Sequence, residues 1–264
     1  MRNILVPIGA SENGKSTLQY AIDFASTIEA NVFVLKAFNV VNKAGHIGNV
    51  EEVIERTNTQ SLKEVIEQVD TKDVDVKVIA AKGIVVDAIQ SVNDELGIDL
   101  VVVGPRPNDH REELFLGRTS GSIIKQTEIP VLVVPEGYAF KSIERILTAI
   151  KSGVIKNKES IKPLEEIIDK FKAKMHLLQV KTTGFLQEDL EFFSDLAAIT
   201  SSYNSSENAT LFQGVLEHLN ERNPDLICVF RRKRGFFKKL WEQNTIKKVE
   251  FESRLPLLVL KGAE

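Results

Sequence analysis

Apolar residues in the first half of the chain fall in short runs, separated by longer segments with helical spacing. The five runs are Ile4–Ile8, Val32–Ala37, Val76–Ala80, Leu100–Val103 and Pro130–Val134. They are nearly continuous in Val, Ile and Leu, which is typical of parallel strands buried on both faces. Between the runs, apolar positions recur every three or four residues and predict four helices. These helices are Ser16–Ile28, Val50–Val69, Val85–Glu95 and Ser120–Thr127.

The second half of the chain repeats the first. The run after Asp99 matches the run after Asp225, and Pro130 matches Pro256, both at an offset of 126 residues. The opening run matches Ile146–Ile150 at an offset of 142 residues. A constant offset indicates a duplicated unit. The alternation of strands and helices then predicts an α/β protein of two tandem, doubly wound, five-stranded parallel-sheet units. We expect the units to span residues 1–137 and 142–264, with the second one shortened by 16 residues between its first and fourth strands.

Composition narrows the class of protein. The chain has 264 residues with a net charge of −3, so nothing global points to nucleic acid. Its single cysteine, Cys228, excludes an internal disulfide, and no apolar run approaches the roughly 20 residues of a membrane span. These features predict a cytoplasmic protein. No two histidines stand at metal-ligand spacing and no catalytic constellation is visible, so we expect no metal site and no enzyme, with a weak ATPase left open.

One short motif suggests nucleotide chemistry. Residues 9–16, GASENGKS, match the phosphate-binding pattern G-x-x-x-x-G-K-[ST] between a predicted strand and a predicted helix. A working P-loop also needs an aspartate at the end of a second strand to hold Mg²⁺, and none of the predicted strands ends in one. The matching position in the second half carries no G-K-S. The pattern therefore favours an ordinary βα turn, in which Ser11 or Asn13 caps the helix and Gly14 eases the turn.

A family resemblance rests on three stretches of the first half and on two in the second. The stretches ILVPI with SEN, DLVVVG, and LGRTSGSIIKQTEIPVLVVPEG resemble the universal stress proteins, and the fused pair of units resembles their tandem members. In the second half the resemblance is confined to 225–230 and 255–260. It implies an adenine-nucleotide α-hydrolase-like sheet in each unit. It also implies a pseudo-two-fold internal pair that meets along the last strands, and a stress-response binding or regulatory role.

The resemblance also implies a nucleotide site that this chain has partly lost. Gly104 and Gly117 occupy the first and last glycine positions of the family loop, but Pro107 replaces the middle glycine and Arg118 replaces a Ser or Thr. Gly9 stands where the family has a ribose-contacting aspartate. The backbone of Ala37 would lie beside an adenine, and Lys15 and Thr119 lie close to the loop. The candidate cofactor-binding residues are therefore Gly9, Lys15, Ala37, Gly104, Gly117, Arg118 and Thr119.

Three functions remain open at this point. The preferred one is a binding or regulatory protein with a degraded nucleotide site, for which no cofactor is firmly indicated. The second is an ATP- or AMP-binding member that uses loop 104–119, because Arg118 offers a charge-assisted contact in place of a hydroxyl. The third is an interaction module built on the basic run 231–239, RRKRGFFKK. The corresponding partners are a small anionic ligand, an adenine nucleotide such as ATP, or an unidentified protein, with nucleic acid disfavoured and a homodimer left open.

Overall fold

The computed structural model describes most of both halves of the chain. The described residues are 1–9, 13–39, 50–104, 117–152, 158–183, 185–186, 189, 194–231 and 255–262. They form two compact units, unit one up to Phe140 and unit two from Lys141 onward. None of the helices in these segments is both long enough and apolar enough to cross a bilayer.

Unit one is a parallel α/β sheet with the strand order β3-β2-β1-β4-β5. Its strands are β1 (Asn3–Pro7), β2 (Asn31–Phe38), β3 (Val76–Lys82), β4 (Leu100–Val103) and β5 (Val131–Val133). Its helices are α1 (Asn13–Ile28), α2 (Val50–Ile66), α3 (Val85–Leu96) and α4 (Gly117–Gln126). Every strand pair in the unit is parallel, as the buried apolar runs predict.

Unit two contains a second parallel sheet, with the order β10-β9-β6-β7-β8. Its strands are β6 (Arg145–Ile150), β7 (Lys174–Lys181), β8 (Ser202–Glu207), β9 (Leu226–Arg231) and β10 (Leu257–Lys261). Its described helices are α5 (Lys162–Phe171), α6 (Ser194–Ala198) and α7 (Leu211–Arg222), with a 3-10 turn at Lys158–Ser160. The prediction of two five-stranded parallel units is confirmed.

The strand registers show which residues of the two units correspond. Ile4 pairs with Leu100 in unit one, and Ile146 pairs with Leu226 in unit two, which reproduces the offsets of 142 and 126 residues. The offset is 143 from β2 to β7 and 125 from β3 to β8, so the shortening lies between the second and third strands. There the 17-residue α2 of unit one gives way to the five-residue α6.

An aspartate at the amino-terminal edge of each sheet fixes the innermost strands. The Asp99 carboxylate accepts hydrogen bonds from the backbone N–H groups of Arg2 and Asn3, at 2.6 and 3.0 Å. Asp225 accepts the same pair of bonds from Glu144 and Arg145, at 3.1 and 3.0 Å. Because ligands of open α/β sheets bind at the opposite edge, these acids are structural, as their position before the strands predicts.

Helix boundaries depart from prediction mainly at the amino ends. Helix α1 begins at Asn13, so Asn13 is its first residue and not its cap, and Gly14 is helical. Helix α4 begins three residues earlier than the apolar pattern indicates, at Gly117. In both cases the first turn is polar or small, because it lies beyond the apolar stripe that identifies the rest of the helix.

Unit one ends in an aromatic cluster. Phe140 packs edge-on against Tyr20 and Phe24 of α1, with ring centroids 5.4 and 6.2 Å apart, and Tyr138 lies 6.1 Å from Tyr20. The half-buried side chains of Tyr138 and Phe140 therefore pack against α1 of unit one. The described chain divides into its two compact units between Phe140 and Lys141.

Candidate functional site

The candidate site of unit one lies at the carboxyl edge of its sheet. Strands β1 and β4 are parallel neighbours, so Gly9, just after β1, and Gly104, just after β4, leave the sheet at the same edge. The N–H group of Ile8 donates to the carbonyl of Leu35 at 2.8 Å, which continues the pairing of β1 with β2 up to Gly9. In open α/β sheets this edge is where ligands bind.

Gly104 is the point where three elements meet. A Cβ atom at Gly104 would collide with Oγ1 of Thr17, which is buried in the second turn of α1. On the other side, the hydroxyl of Ser120 donates to the carbonyl of Gly104 at 3.0 Å. The close approach of α1 therefore requires glycine at this position, and Ser120 ties the first turn of α4 to the same point.

The glycine of the P-loop-like motif has a packing role of the same kind. A Cβ atom at Gly14 would lie 2.7 Å from Cγ2 of Ile8, so the first turn of α1 rests directly on the end of β1. Gly14 and Lys15 are both helical, and Asn13 is buried. Among the described residues no group of histidine, cysteine and acidic side chains could hold a metal ion. The close contact between Gly14 and Ile8 fits the βα-turn interpretation, in which Gly14 serves packing.

The described first turns of two helices, α1 and α4, lie at this edge and carry no acidic side chain. Helices α1 and α4 both lack an acid in their first turn, whereas α2 carries Glu51 and Glu52 and α3 carries Asp87. The free N–H groups and the dipole of a helix amino terminus attract anions. The described first turns of α1 and α4 therefore add the positive ends of two helix dipoles, and no carboxylate of their own, near Gly104.

Most of the predicted site residues lie in the described structure, near Gly104 or on the neighbouring strands and helices. Lys15 is exposed on the first turn of α1, and Gly117 is the first residue of α4. Thr119 is half-buried on α4, and Ala37 is half-buried on β2, where it pairs with Ala81. Arg118 belongs to α4, but its side chain lies outside the described structure, as do Pro107 and the cations of the loop after Gly104. The structure thus brings Gly9, Gly104 and the first turns of α1 and α4 to one edge.

Two residues of the site escape sequence reasoning. Thr17 lies three residues after Gly14 and just before Leu18 of the apolar stripe. A small polar residue next to that stripe was the only sign in the sequence that Thr17 contacts the sheet. Ser120 reads as an ordinary helix-start residue, because its partner Gly104 lies 16 residues away in the sequence. Only the packing of α1 and α4 against β4 shows that both side chains adjoin Gly104.

The equivalent edge of unit two is built differently. At the repeat offsets, Gly9 corresponds to Lys151 and Gly104 to the half-buried Phe230. The close-packed glycines described in unit two occupy other positions: a Cβ atom at Gly214 would lie 2.5 Å from Cγ2 of Val180, and one at Gly262 would lie 2.6 Å from the carbonyl oxygen of Arg231. Unit two therefore lacks the backbone approach that unit one makes at Gly104.

Buried titratable groups do not suggest catalysis in either unit. Burial raises the pKa of the Tyr20 hydroxyl and of the Cys228 thiol well above their ordinary ranges, so both stay protonated. Burial, with smaller contributions from Arg222 and His218, lowers the pKa of His176. Nδ1 of His176 lies 2.7 Å from the hydroxyl of Ser202, within the sheet. Cys228 and His176 are packed in the core, as their positions in apolar runs predict.

Comparison with known families decides the class of protein. Residues 1–135, about half the chain, match the family model described as the universal stress protein family. The chain belongs to the universal stress protein family. A universal stress protein of Methanocaldococcus jannaschii is 22% identical over 138 residues, which cover 50% of this chain and 81% of that protein.

Solved structures extend the similarity to the whole chain. A universal stress protein from Archaeoglobus fulgidus superposes with a TM-score of 0.68 at 18% identity, covering 98% of both chains. A functionally unknown protein from Pseudomonas aeruginosa gives a TM-score of 0.61 at 16% identity, covering 99% of this chain and 93% of its own. At this identity the likeness concerns the fold. It shows that both halves together form an architecture known from other chains.

Proposed function

We propose that this chain is a cytoplasmic, non-enzymatic binding protein of the stress response whose adenine-nucleotide site in unit one is degraded. In this proposal the carboxyl edge of unit one still attracts an anion. It holds ATP or AMP only weakly, with a dissociation constant above about 100 µM. The observation that carries the proposal is the meeting of α1 and α4 at Gly104 beside a strand end, Gly9, that bears no carboxylate.

The helix amino termini at the site support the proposal that it attracts an anion. The first turns of α1 and α4 carry no acid, and Lys15 is exposed on the first of them. A phosphate at this edge would meet two helix amino termini. Such contacts act on any phosphate and do not select an adenosine.

The contacts that the site lacks support the proposal that it binds nucleotide weakly. Gly9 offers no side chain to a ribose, and Pro107 has no N–H group to donate to a phosphate. A hydrogen bond to a charged group contributes about 1.5–3 kcal/mol, and each 1.4 kcal/mol is about tenfold in affinity. Two lost contacts would move a micromolar site to roughly hundreds of micromolar.

Calorimetric titration of the intact chain with ATP and with AMP tests this proposal. We expect weak or no binding. The triple variant Gly9→Asp, Pro107→Gly, Arg118→Ser should bind ATP at least about tenfold more tightly, because it restores a ribose acceptor, an amide donor and a hydroxyl. Gly9 is exposed, so the new carboxylate can be accommodated.

A matched control separates the charge of the new side chain from its size. Replacing Gly9→Asp by Gly9→Asn in the triple variant keeps the size of the side chain and should give a smaller gain. Low-micromolar ATP binding by the unaltered chain, lost in Arg118→Ala, would overturn the proposal. The chain would then be an ATP-binding member that uses loop 104–119.

A further inference from the structure

The outer strands of the two units carry different kinds of residue. Strand β3 is the last described strand on one side of unit one, and β8 holds the same place in unit two. At the repeat offset of 125 residues, the largely apolar sequence VKVIAAK of 76–82 corresponds to the polar sequence SSYNSSE of 201–207. The fold is therefore compatible with a polar strand at this position, and folding alone does not account for the apolar residues of β3.

Strand β3 is accessible along its whole length. Each of its seven residues is half-buried or exposed, whereas the neighbouring β2 contains four consecutive buried residues. Of the strands that the structure describes, β2 is the one that pairs with β3. An apolar edge strand with unpaired backbone groups is a template on which another strand can pair.

The backbone hydrogen bonds to β2 define which groups of β3 point outward. At one end the N–H group of Val32 donates to the carbonyl of Asp75 at 3.0 Å, and at the other the N–H group of Gly83 donates to the carbonyl of Phe38 at 2.8 Å. Successive residues of a strand direct their backbone groups to opposite sides, so the odd-numbered residues of β3 bond to β2. The residues whose N–H and carbonyl groups face away from β2 are Val76, Val78, Ala80 and Lys82.

The two lysines of β3 are held by acidic and aromatic partners in their own unit. Nζ of Lys77 lies 2.9 Å from the carboxylate of Asp75 and 5.8 Å from the centre of the Phe33 ring on β2. Nζ of Lys82 lies 2.6 Å from the carboxylate of Glu51, in the first turn of α2. Many edge strands carry lysines that repel a second strand. The ion pairs of Lys77 and Lys82 weaken that repulsion at β3.

We propose that two copies of this chain associate by antiparallel pairing of β3 with β3, with the two-fold axis at Ile79. In this register Val76 lies opposite Lys82 of the second copy, and Val78 lies opposite Ala80. These are the residues whose backbone groups point outward, so each pair can exchange two N–H···O=C hydrogen bonds. The pairing uses all seven residues of both strands.

The sequence of β3 is self-complementary about Ile79, which favours a second copy over an unrelated strand. In a two-fold interface the same surface patch must fit itself. Here Lys77 lies opposite Ala81, Val78 lies opposite Ala80, and no two charged side chains are opposite each other. A seven-residue strand is about 23 Å long, and one such strand pair is smaller than the usual interface of about 800 Å² per partner. We therefore expect a weak dimer that forms with increasing concentration.

Sedimentation velocity of the full-length chain, from about 1 to about 300 µM, tests the proposal. We expect the mass to rise towards that of a dimer. Ala80→Pro removes an outward N–H group and leaves the bonds to β2 in place, so it should weaken association at least about tenfold. The matched control is Ser205→Pro, at the equivalent exposed position of β8. The N–H group of Asn208 donates to Lys181 of β7, so alternation directs the N–H group of Ser205 outward as well, and this control should associate like the unaltered chain.

Disulfide trapping tests the register and does not depend on a proline variant. Ile79 would face its own copy in a pair without hydrogen bonds, where Cα atoms lie about 4.5 Å apart, so Ile79→Cys should cross-link two chains under mild oxidation. The native Cys228 is buried and does not compete. The matched control Asn204→Cys, on β8, should stay uncross-linked. The proposal is overturned by any of four results: a monomeric mass at every concentration, undiminished association of Ala80→Pro, an equal loss in Ser205→Pro, or no more cross-linking in Ile79→Cys than in Asn204→Cys.

Discussion

The two units share one framework and differ at the edge where a ligand would bind. Both use a parallel sheet in the same register, and both fix their innermost strands with one aspartate, Asp99 or Asp225. At the opposite edge, unit one brings α1 against Gly104, while unit two has Phe230 at the position of Gly104 and Lys151 at the position of Gly9. The two units therefore share the contacts that stabilise each sheet and differ in the residues at the edge where a ligand would bind.

In the interior, too, the two units share buried positions but differ in the residues that occupy them. Phe33 of unit one corresponds to His176 of unit two, and both pack in the sheet. Ala37 and Ala88 correspond to Val180 and Gly214, so a larger strand residue in unit two faces a helix residue without a side chain. Such paired changes keep the interior close-packed while the chemistry of single positions changes.

The largest effect is expected at the shared aspartates. Asp225 is buried, accepts two backbone N–H bonds, and lies 3.2 Å from Nζ of Lys141 and 3.6 Å from Nη2 of Arg145. Asp225→Ala should lower the free energy of unfolding by about 3 kcal/mol. Asp99→Ala should cost about 1.5 kcal/mol, because Asp99 is more exposed. Denaturant melts measure both, and equal losses would contradict this ranking.

The next effect concerns the close approach at Gly104. Gly104→Ala adds a Cβ atom against Oγ1 of Thr17 and should destabilise the chain by about 2 kcal/mol. Adding Thr17→Ala removes the colliding atom and should restore part of the loss. The matched substitution Phe230→Ala in unit two removes a side chain and adds no overlap, so Thr17→Ala should not affect its cost. Additive losses for Gly104→Ala and Thr17→Ala in a double-mutant cycle would show that the two residues do not interact.

An effect of similar size should follow from exchanging the paired residues of the interior. Val180→Ala opens space beside Gly214 and should cost about 2 kcal/mol. Gly214→Ala alone should also destabilise, because its Cβ atom meets Val180. The double variant recreates the Ala–Ala pair of unit one and should be more stable than either single variant, helped by the higher helix propensity of alanine. If the double variant loses as much unfolding free energy as the two single variants together, Val180 and Gly214 do not compensate for each other.

The smallest effect is a pH dependence confined to unit two. Since the folded protein lowers the pKa of His176, the unfolded state binds a proton more readily, and stability should fall as the pH drops through about 6.5. The groups facing His176 are Ser202 on β8 and His218, Glu221 and Arg222 on α7. Peptide-resolved hydrogen exchange of β7 between pH 7.5 and 5.5 would measure this loss.

His176→Phe, which installs the residue of unit one, should flatten that pH profile. His218→Gln is the control, and it should leave most of the slope. A profile unchanged by His176→Phe would assign the pH dependence to other groups.

Much of the architecture follows from the sequence because it depends on local patterns. Strand β4 has the predicted bounds, and the pairing of β1 with β4 is repeated by β6 with β9 at the predicted offsets. Buried parallel strands are apolar on both faces, so their positions are visible without the fold. Gly9 and Gly104 could be assigned to one edge for the same reason.

The details of both carboxyl edges depend on contacts between distant residues. Thr17 and Ser120 join Gly104 only because α1 and α4 pack against the end of β4. Lys151 and Lys261 are recognisable in the sequence as residues at strand ends. Lys261 pairs with Arg231 only because β10 and β9 are neighbours in the sheet. The sequence by itself determined two parallel α/β units of one family. The tertiary structure decided which polar residues meet at each carboxyl edge, because strand order and helix approach depend on contacts between residues far apart in the chain.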